Sequence, residues 1–372
     1  MAKPDGDHGL ACRSHPAGHH HAGLGRRDFL SGLAVAAGAA ALSGTAPAAL
    51  PAASRKIDVH HHFTPKAWLD FHAQFAPPGA PPVYWDLAKD LDDMAASGTE
   101  SAILSIWTED GGAVEDRRAA ARGINEGGAR LAADHPGRFG HFATLPMPDI
   151  EGSLAEIGYA LDTLKADGIT LYADAGNRWL GHPDFSPLHE ELHRRKAKVY
   201  VHPRAPQCCV NLVKDVTDTV VEFGANTTRT IASLIFSGTT VRYPDITWIF
   251  AHGGGVMPFV IERFLTAQEV EIVPGIKTAG QKGPLRTGAM PPDGVLAELR
   301  KMYYDTAQIS NPVALDALRK VVPVPKILYG TDVWYRTAQE SVTGVSTSRV
   351  FSPPELDQIY RGNALQLFPR FA

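Results

Sequence analysis

A short apolar run that starts at Ile57 ends in Asp58, Val59, His60, His61 and His62. Side chains alternate across a β-strand, so His60 and His62 project from one face and His61 from the other. Neutral imidazole is the commonest ligand of zinc and also suits iron, nickel and copper, so this spacing reads as half of a metal site. Neighbouring histidines alone are weak grounds, as His19, His20 and His21 upstream illustrate. Three later segments strengthen the reading. Apolar strands run into His202 and His252, and a third leads to Asp332. His60, His62, His202 and Asp332 would offer three nitrogens and one carboxylate to a single ion, leaving room for water or substrate as a catalytic site requires. His252 is followed by Gly253, Gly254 and Gly255, a turn that leaves its imidazole beside the ion, free to act as acid or base.

Those side chains converge only if strands deliver them to one end of a sheet. Eight apolar, partly β-branched runs meet that need, at residues 57–60, 102–106, 139–145, 168–172, 198–202, 246–251, 302–305 and 326–330. Between them, helical spacing recurs at Leu87, Leu91 and Met94, at Leu154, Ile157, Leu161 and Leu164, and at Leu315, Leu318 and Val322. Eight strand and helix alternations predict a parallel sheet closed into a single-domain (β/α)8 TIM barrel, whose active sites sit at the C-terminal strand ends. No GxGxxG follows the first strand, which removes a dinucleotide-binding reading. The fourth strand carries no lysine to bridge a second ion, so one divalent metal is expected, zinc first and manganese second. Residues 266–292 are rich in Gly, Pro and Lys without a period and read as an excursion near the barrel mouth, a lid or subunit contact.

A chain of 372 residues with 44% hydrophobic content can bury a core of that size. Its net charge of −4 and lack of a basic stretch argue against a nucleic-acid partner. Gly25, Arg26, Arg27, Asp28, Phe29 and Leu30 resemble a twin-arginine export signal, with an apolar run at 31–42 too short for a stable membrane span. Ala46 and Ala48 offer a cleavage site. Residues 1–55 are therefore expected to be signal and linker, removed on export to a bacterial periplasm, and 56–372 the barrel domain. Cys12 falls in the signal; the adjacent Cys208 and Cys209 do not build a disulfide framework and read either as small pocket-loop residues or as a thiolate ligand.

The stretches IDVHHHFTP (57–65), VYVHP (199–203), TTRTIASLIFSGTTVRYPDITWIFAHGGGVMPFVIERF (227–264), YYDTA (303–307) and YGTDVWY (329–335) resemble the amidohydrolase-related decarboxylases. That group includes aminocarboxymuconate semialdehyde, γ-resorcylate and 6-methylsalicylate decarboxylases, and residues 184–209 are most similar to the 6-methylsalicylate branch. The resemblance runs from Lys56 to Phe368. It implies His60, His62, His202 and Asp332 as ligands, His252 as the catalytic histidine with Asp332 beside it, and non-oxidative loss of CO2 from a hydroxybenzoate-type or related unsaturated acid. Arg229 and Arg263 are candidates to bind the anionic substrate, and in the family an arginine at the position of Arg263 can enter a neighbouring subunit's site, which implies a homodimer or larger homo-oligomer. Trp107 is a candidate to stack on an aromatic ring or to pack in the core. The same ligands would also suit a hydrolase of a lactone or amide, and a non-catalytic periplasmic metal- or ligand-binding protein is the third reading.

Overall fold

Val, Ile, Leu and aromatic residues fill the strand runs on both faces, the composition of strands buried inside and out. In the computed structural model, which describes residues 55–76, 85–269, 288–333 and 335–372, they form eight strands: β1 Lys56–His62, β2 Thr99–Ser105, β3 Phe139–Thr144, β4 Gly168–Tyr172, β5 Lys198–His202, β6 Thr247–Phe250, β7 Tyr303–Asp305 and β8 Ile327–Leu328. Each pairs in parallel with the next in chain order. The last meets the first: Val59 N donates to Tyr329 O at 3.0 Å, Asp332 N donates to His60 O at 3.0 Å, and His61 bridges Val333. The expected (β/α)8 barrel is thus observed. The sixth strand is one residue shorter than expected at each end, the seventh one residue shorter at its start only, and the eighth one residue shorter at its start and two at its end.

Helices cover the barrel, and the periodic segments are helical except at their ends: Leu161 falls in a π-helical turn at Tyr159–Thr163 that stops before Leu164, and Val322 lies just past its helix in extended backbone. Helix α1 spans Lys66–His72 and α2 Leu87–Ser97. The Asp86 side chain caps α2 by accepting from Lys89 N at 2.8 Å, and Gly98 ends it at φ 71°. Helices α3 Val114–Asp134, α4 Ile150–Gly158 and α5 Ser186–Arg194 follow, then α6 Glu222–Phe236 and α7 Ile261–Glu269. Helix α8, Pro312–Val321, buries Leu315 and Leu318 completely and is capped by Asn311. Tyr200, Tyr304 and Tyr329 are among the largest fully buried side chains. Tyr200 points into the barrel, where its hydroxyl meets Asp305, while Tyr304 and Tyr329 pack between the strands and the surrounding chain, their hydroxyls on the Leu299 and Ala338 carbonyls. Among the described residues no helix is long and apolar enough to cross a membrane. The signal and cleavage readings, Cys12 and most of the 266–292 excursion lie outside the described residues.

Candidate metal centre

Period-two alternation on β1 does what the spacing demands. His60 and His62 enter the barrel with their ring centroids 4.9 Å apart, and β5 adds His202, 5.0 Å from His60 and 5.2 Å from His62. His61 points outward, where Asp58 meets Nδ1 at 2.9 Å and Asp90 of α2 meets Nε2 at 2.9 Å. His252 lies one turn past β6, and Asp332 follows β8. Both sit in left-handed backbone, at φ 55° and 61°, a conformation costing about 1–3 kcal/mol for a non-glycine residue and concentrated at functional sites. The glycines after His252 hold that turn at φ 62°, 78° and 68°. A Cβ on Gly254 would stand 2.8 Å from Tyr304, and one on Gly255 would stand 2.1 Å from Gly224 O.

Ligand atoms of His60, His202, His252 and Asp332 lie within 4.8 Å of one another, all buried. His62 joins them, its Nε2 3.2 Å from His60 Nε2 and 2.8 Å from Asp332 Oδ1, while His60 Nε2 is 3.1 Å from that same oxygen. Such separations approach the edge of about 3.3 Å expected of a tetrahedron with bonds of ~2.0–2.1 Å. The tautomers agree. His60 Nδ1 faces Asp305 at 2.9 Å and His62 Nδ1 faces the Ser105 carbonyl at 3.2 Å, so both rings carry Nδ1–H and turn an Nε2 lone pair inward. Among the described residues neither ring nitrogen of buried His202 has a hydrogen-bond partner, nor does His252 Nε2, which lies 3.3 Å from Asp332 Oδ2. Unpaired nitrogens buried among converging lone pairs are what a cation would satisfy, so the residues fit one divalent metal. Strand β4 contributes no lysine to a second.

Electrostatics point the same way. Burial lowers His202 well below the ordinary histidine value, and His60, His62 and His252 push it further. His62 is lowered too, chiefly by burial. Burial would also lower His60, but Asp305 and Asp332 outweigh it and raise the ring to about 10; an ion must displace that proton to bind. For Asp332, burial alone would raise the carboxyl, yet His60, His252 and His62 hold it well below the usual carboxylate range.

The remaining candidates fall elsewhere. Trp107 is buried against the cluster, stacked on His202 at 4.3 Å and on Tyr172 at 5.2 Å. Arg229 on α6 pairs with Glu222 at 3.1 Å, and Arg263 lies exposed on α7. Neither lines the cavity of about 640 Å³ that opens onto His252 and Asp332. Cys208 and Cys209 are free, the first exposed, and neither belongs to the cluster. Two residues were not anticipated. Asp305, fully buried at the end of β7, accepts from His252 N, Ala307 N, Tyr200 Oη and His60 Nδ1, all at 2.9–3.0 Å. Gln308, at φ 57°, donates from Nε2 to Asp332 Oδ2 at 2.9 Å. Asp305 ends an apolar strand run just as His202 does, so the strand-end signal that found His202 applies to it.

The chain belongs to the amidohydrolase family, whose profile (Amidohydro_2) matches residues 57–370. It is 34% identical over 339 residues to decarboxylase macB of Penicillium terrestre, covering 85% of this chain and 95% of that one. It is 33% identical over 328 residues to 6-methylsalicylic acid decarboxylase of Penicillium expansum, covering 85% and 96%. Among solved structures, the dihydroxybenzoic acid decarboxylase of Polaromonas sp. JS666, with bound manganese and 2-nitroresorcinol, shares the fold with a TM-score of 0.69 at 21% identity, covering 85% and 97% of the two chains.

Proposed function

We propose that this chain is a metal-dependent carboxy-lyase that removes CO2 non-oxidatively from a hydroxybenzoate-type acid, 6-methylsalicylate or a close analogue. The observation that carries the reading is the buried His/Asp cluster opening through His252 and Asp332 into a cavity of about 640 Å³, roomy enough to admit a substituted aromatic ring. The full-length relatives are named decarboxylases, which favours this reaction over hydrolysis of a lactone or amide on the same barrel.

His60, His62, His202 and Asp332 would hold the ion. When bound, it supplies Lewis-acid chemistry, ordering the phenolate and carboxylate oxygens of an ortho-hydroxybenzoate and stabilising charge that develops on them. Asp332 is held ionised, so the proton falls to His252, whose Nε2 lies 3.3 Å from Asp332 Oδ2. His252 delivers it to the ring carbon that bears the carboxylate. Cleavage of the carbon–carbon bond then returns the electron pair to the ring, restores aromaticity and releases CO2, one proton being consumed per turnover.

An imidazole-rich set favours zinc, whereas the Polaromonas relative holds manganese; metal analysis of the purified protein, and activity after reloading with each, decides between them. Exposed Val210, Leu212, Val213 and Val220 near the mouth support a homodimer or larger assembly, which light scattering tests. Arg26 and Arg27 support export to the periplasm by the twin-arginine route, which fractionation of producing cells tests. For the reaction itself, metal-loaded protein is given a panel of salicylates and a panel of lactones and amides. CO2 released in equal amount with decarboxylated phenol is expected; acid released from a lactone or amide without CO2 would replace the lyase with a hydrolase.

A further inference from the structure

An aromatic carboxylate entering this cavity meets Asp332 at its floor and Glu340 in its wall, two carboxylates of its own sign. One wall is apolar, from Val220, Phe223, Val256 and Ile309, and suits the faces of a flat ring. Against it, the one arginine or lysine among the described lining residues is Arg336. Its Nε donates to Gln308 Oε1 at 3.3 Å, and the amide of the same Gln308 donates to Asp332 Oδ2 at 2.9 Å. Only one orientation of that amide serves both neighbours, since its oxygen must meet the guanidinium and its nitrogen the carboxylate. The Gln308 backbone is itself held in the left-handed region, at φ 57°. Arg336 is thus steered through Nε, which leaves its two Nη groups for another acceptor, and among the described residues no carboxylate pairs with it.

Resting on the reading of this cavity as the substrate site, we propose that Arg336 is the residue that recognises the anionic charge of the substrate, with Gln308 positioning it relative to Asp332. A planar guanidinium presents parallel N–H donors to a carboxylate or phenolate edge, a geometry an ammonium does not reproduce. Arg229 does not take this role, because it is engaged by Glu222 and lies away from the cavity lining.

Binding of salicylate and of its uncharged amide, salicylamide, is measured by calorimetry on the purified protein and on Arg336→Gln, Arg336→Lys and Arg229→Gln. Loss of a hydrogen-bonded charge contact predicts salicylate binding weaker by about 10-fold or more in Arg336→Gln, with salicylamide within about 2-fold, partial recovery in Arg336→Lys and no change in Arg229→Gln. Unchanged salicylate binding in Arg336→Gln, or equal loss for both probes, overturns the proposal. Steady-state kinetics separate it from the reaction assigned above. If the charge-dependent loss occurs in a protein that releases no CO2 from any salicylate, the recognition role stands and the decarboxylase reading falls. If CO2 is released and Arg336→Gln leaves KM unaltered, the reverse holds.

Discussion

His60 and His61 are consecutive residues on one strand, both buried, yet they live in opposite chemical worlds. His61 faces out of the barrel and is fully satisfied: Asp58 and Asp90 each take one ring nitrogen, and Thr331 ties Asp58 to the end of β8 through Oγ1 at 2.6 Å. Burial lowers that ring, Asp90 and Asp58 outweigh it, and it is raised to about 10, a charged structural clamp. His60 faces in, gives Nδ1–H to Asp305, and turns Nε2 toward the nitrogen of His62 and an oxygen of Asp332. The difference teaches that a buried histidine becomes a ligand candidate when a second group fixes its tautomer and its other lone pair converges with similar ones.

The largest expected effect breaks the inner side of that comparison. Asp332→Ala or His202→Ala should strip the ion, and turnover should fall to background; metal content by mass spectrometry and CO2 release check both. A variant that keeps one ion per chain would remove that residue from the ligand set. Next comes His252→Asn. If His252 works as acid rather than ligand, metal content should hold while turnover falls by about 10²-fold or more; metal lost in proportion to turnover would instead make His252 a ligand, which its place within the 4.8 Å group allows geometrically.

The third pair sets the two faces of β1 directly against each other. Asp305→Asn, which weakens the carboxylate behind His60, should cost about 10–100-fold in metal affinity with modest loss of stability. His61→Ala should do the reverse, destabilising by about 3–5 kcal/mol because two buried carboxylates lose their cation, while the folded fraction keeps one ion per chain. Chelator competition and denaturant unfolding read the two quantities separately. If His61→Ala lost metal while its stability held, the outer face would belong to the site.

How far the sequence revealed this follows from what each signal reports. Strand periodicity is local, so it placed all eight barrel strands and told which of three adjacent histidines turned outward. It also delivered His60, His62, His202, His252 and Asp332 to one end, because parallel strands share a direction. Asp305 carried the same strand-end signal, but its meaning depends on His60, 245 residues away, and only tertiary structure joins them. Helical spacing places Arg229 and Arg263 on helices without saying which cavity, if any, they approach. Arg336 stands in a short aperiodic segment after Asp332 and is singled out only by the cavity it lines. Trp107 was legible as an aromatic at the mouth, but its stacking on His202 arises from β2 and β5 meeting across the barrel.

The smallest expected effect tests the convergence rule where it fails to make a site. His141 is 2% exposed, and neither of its ring nitrogens has a hydrogen-bond partner among the described residues; His189 is as buried, with Nε2 unpaired. Yet neither belongs to the buried group of converging ligand atoms. Burial, with Arg370 near the first and Arg242 near the second, lowers both to about 4. Their unfolded value is about 6.5, so below that pH the unfolded chain binds protons that the folded chain does not. Stability should therefore be fully present above about pH 6.5 and decline as pH falls toward about 4, by up to roughly 1.4 kcal/mol per pH unit for each ring. Urea unfolding of metal-free protein across that range should show the decline, and His141→Leu should flatten its slope by one ring's share. An equally steep slope in that variant would mean that His141 already takes up a proton in the folded state, and that an unpartnered nitrogen in this protein does not by itself report a neutral imidazole.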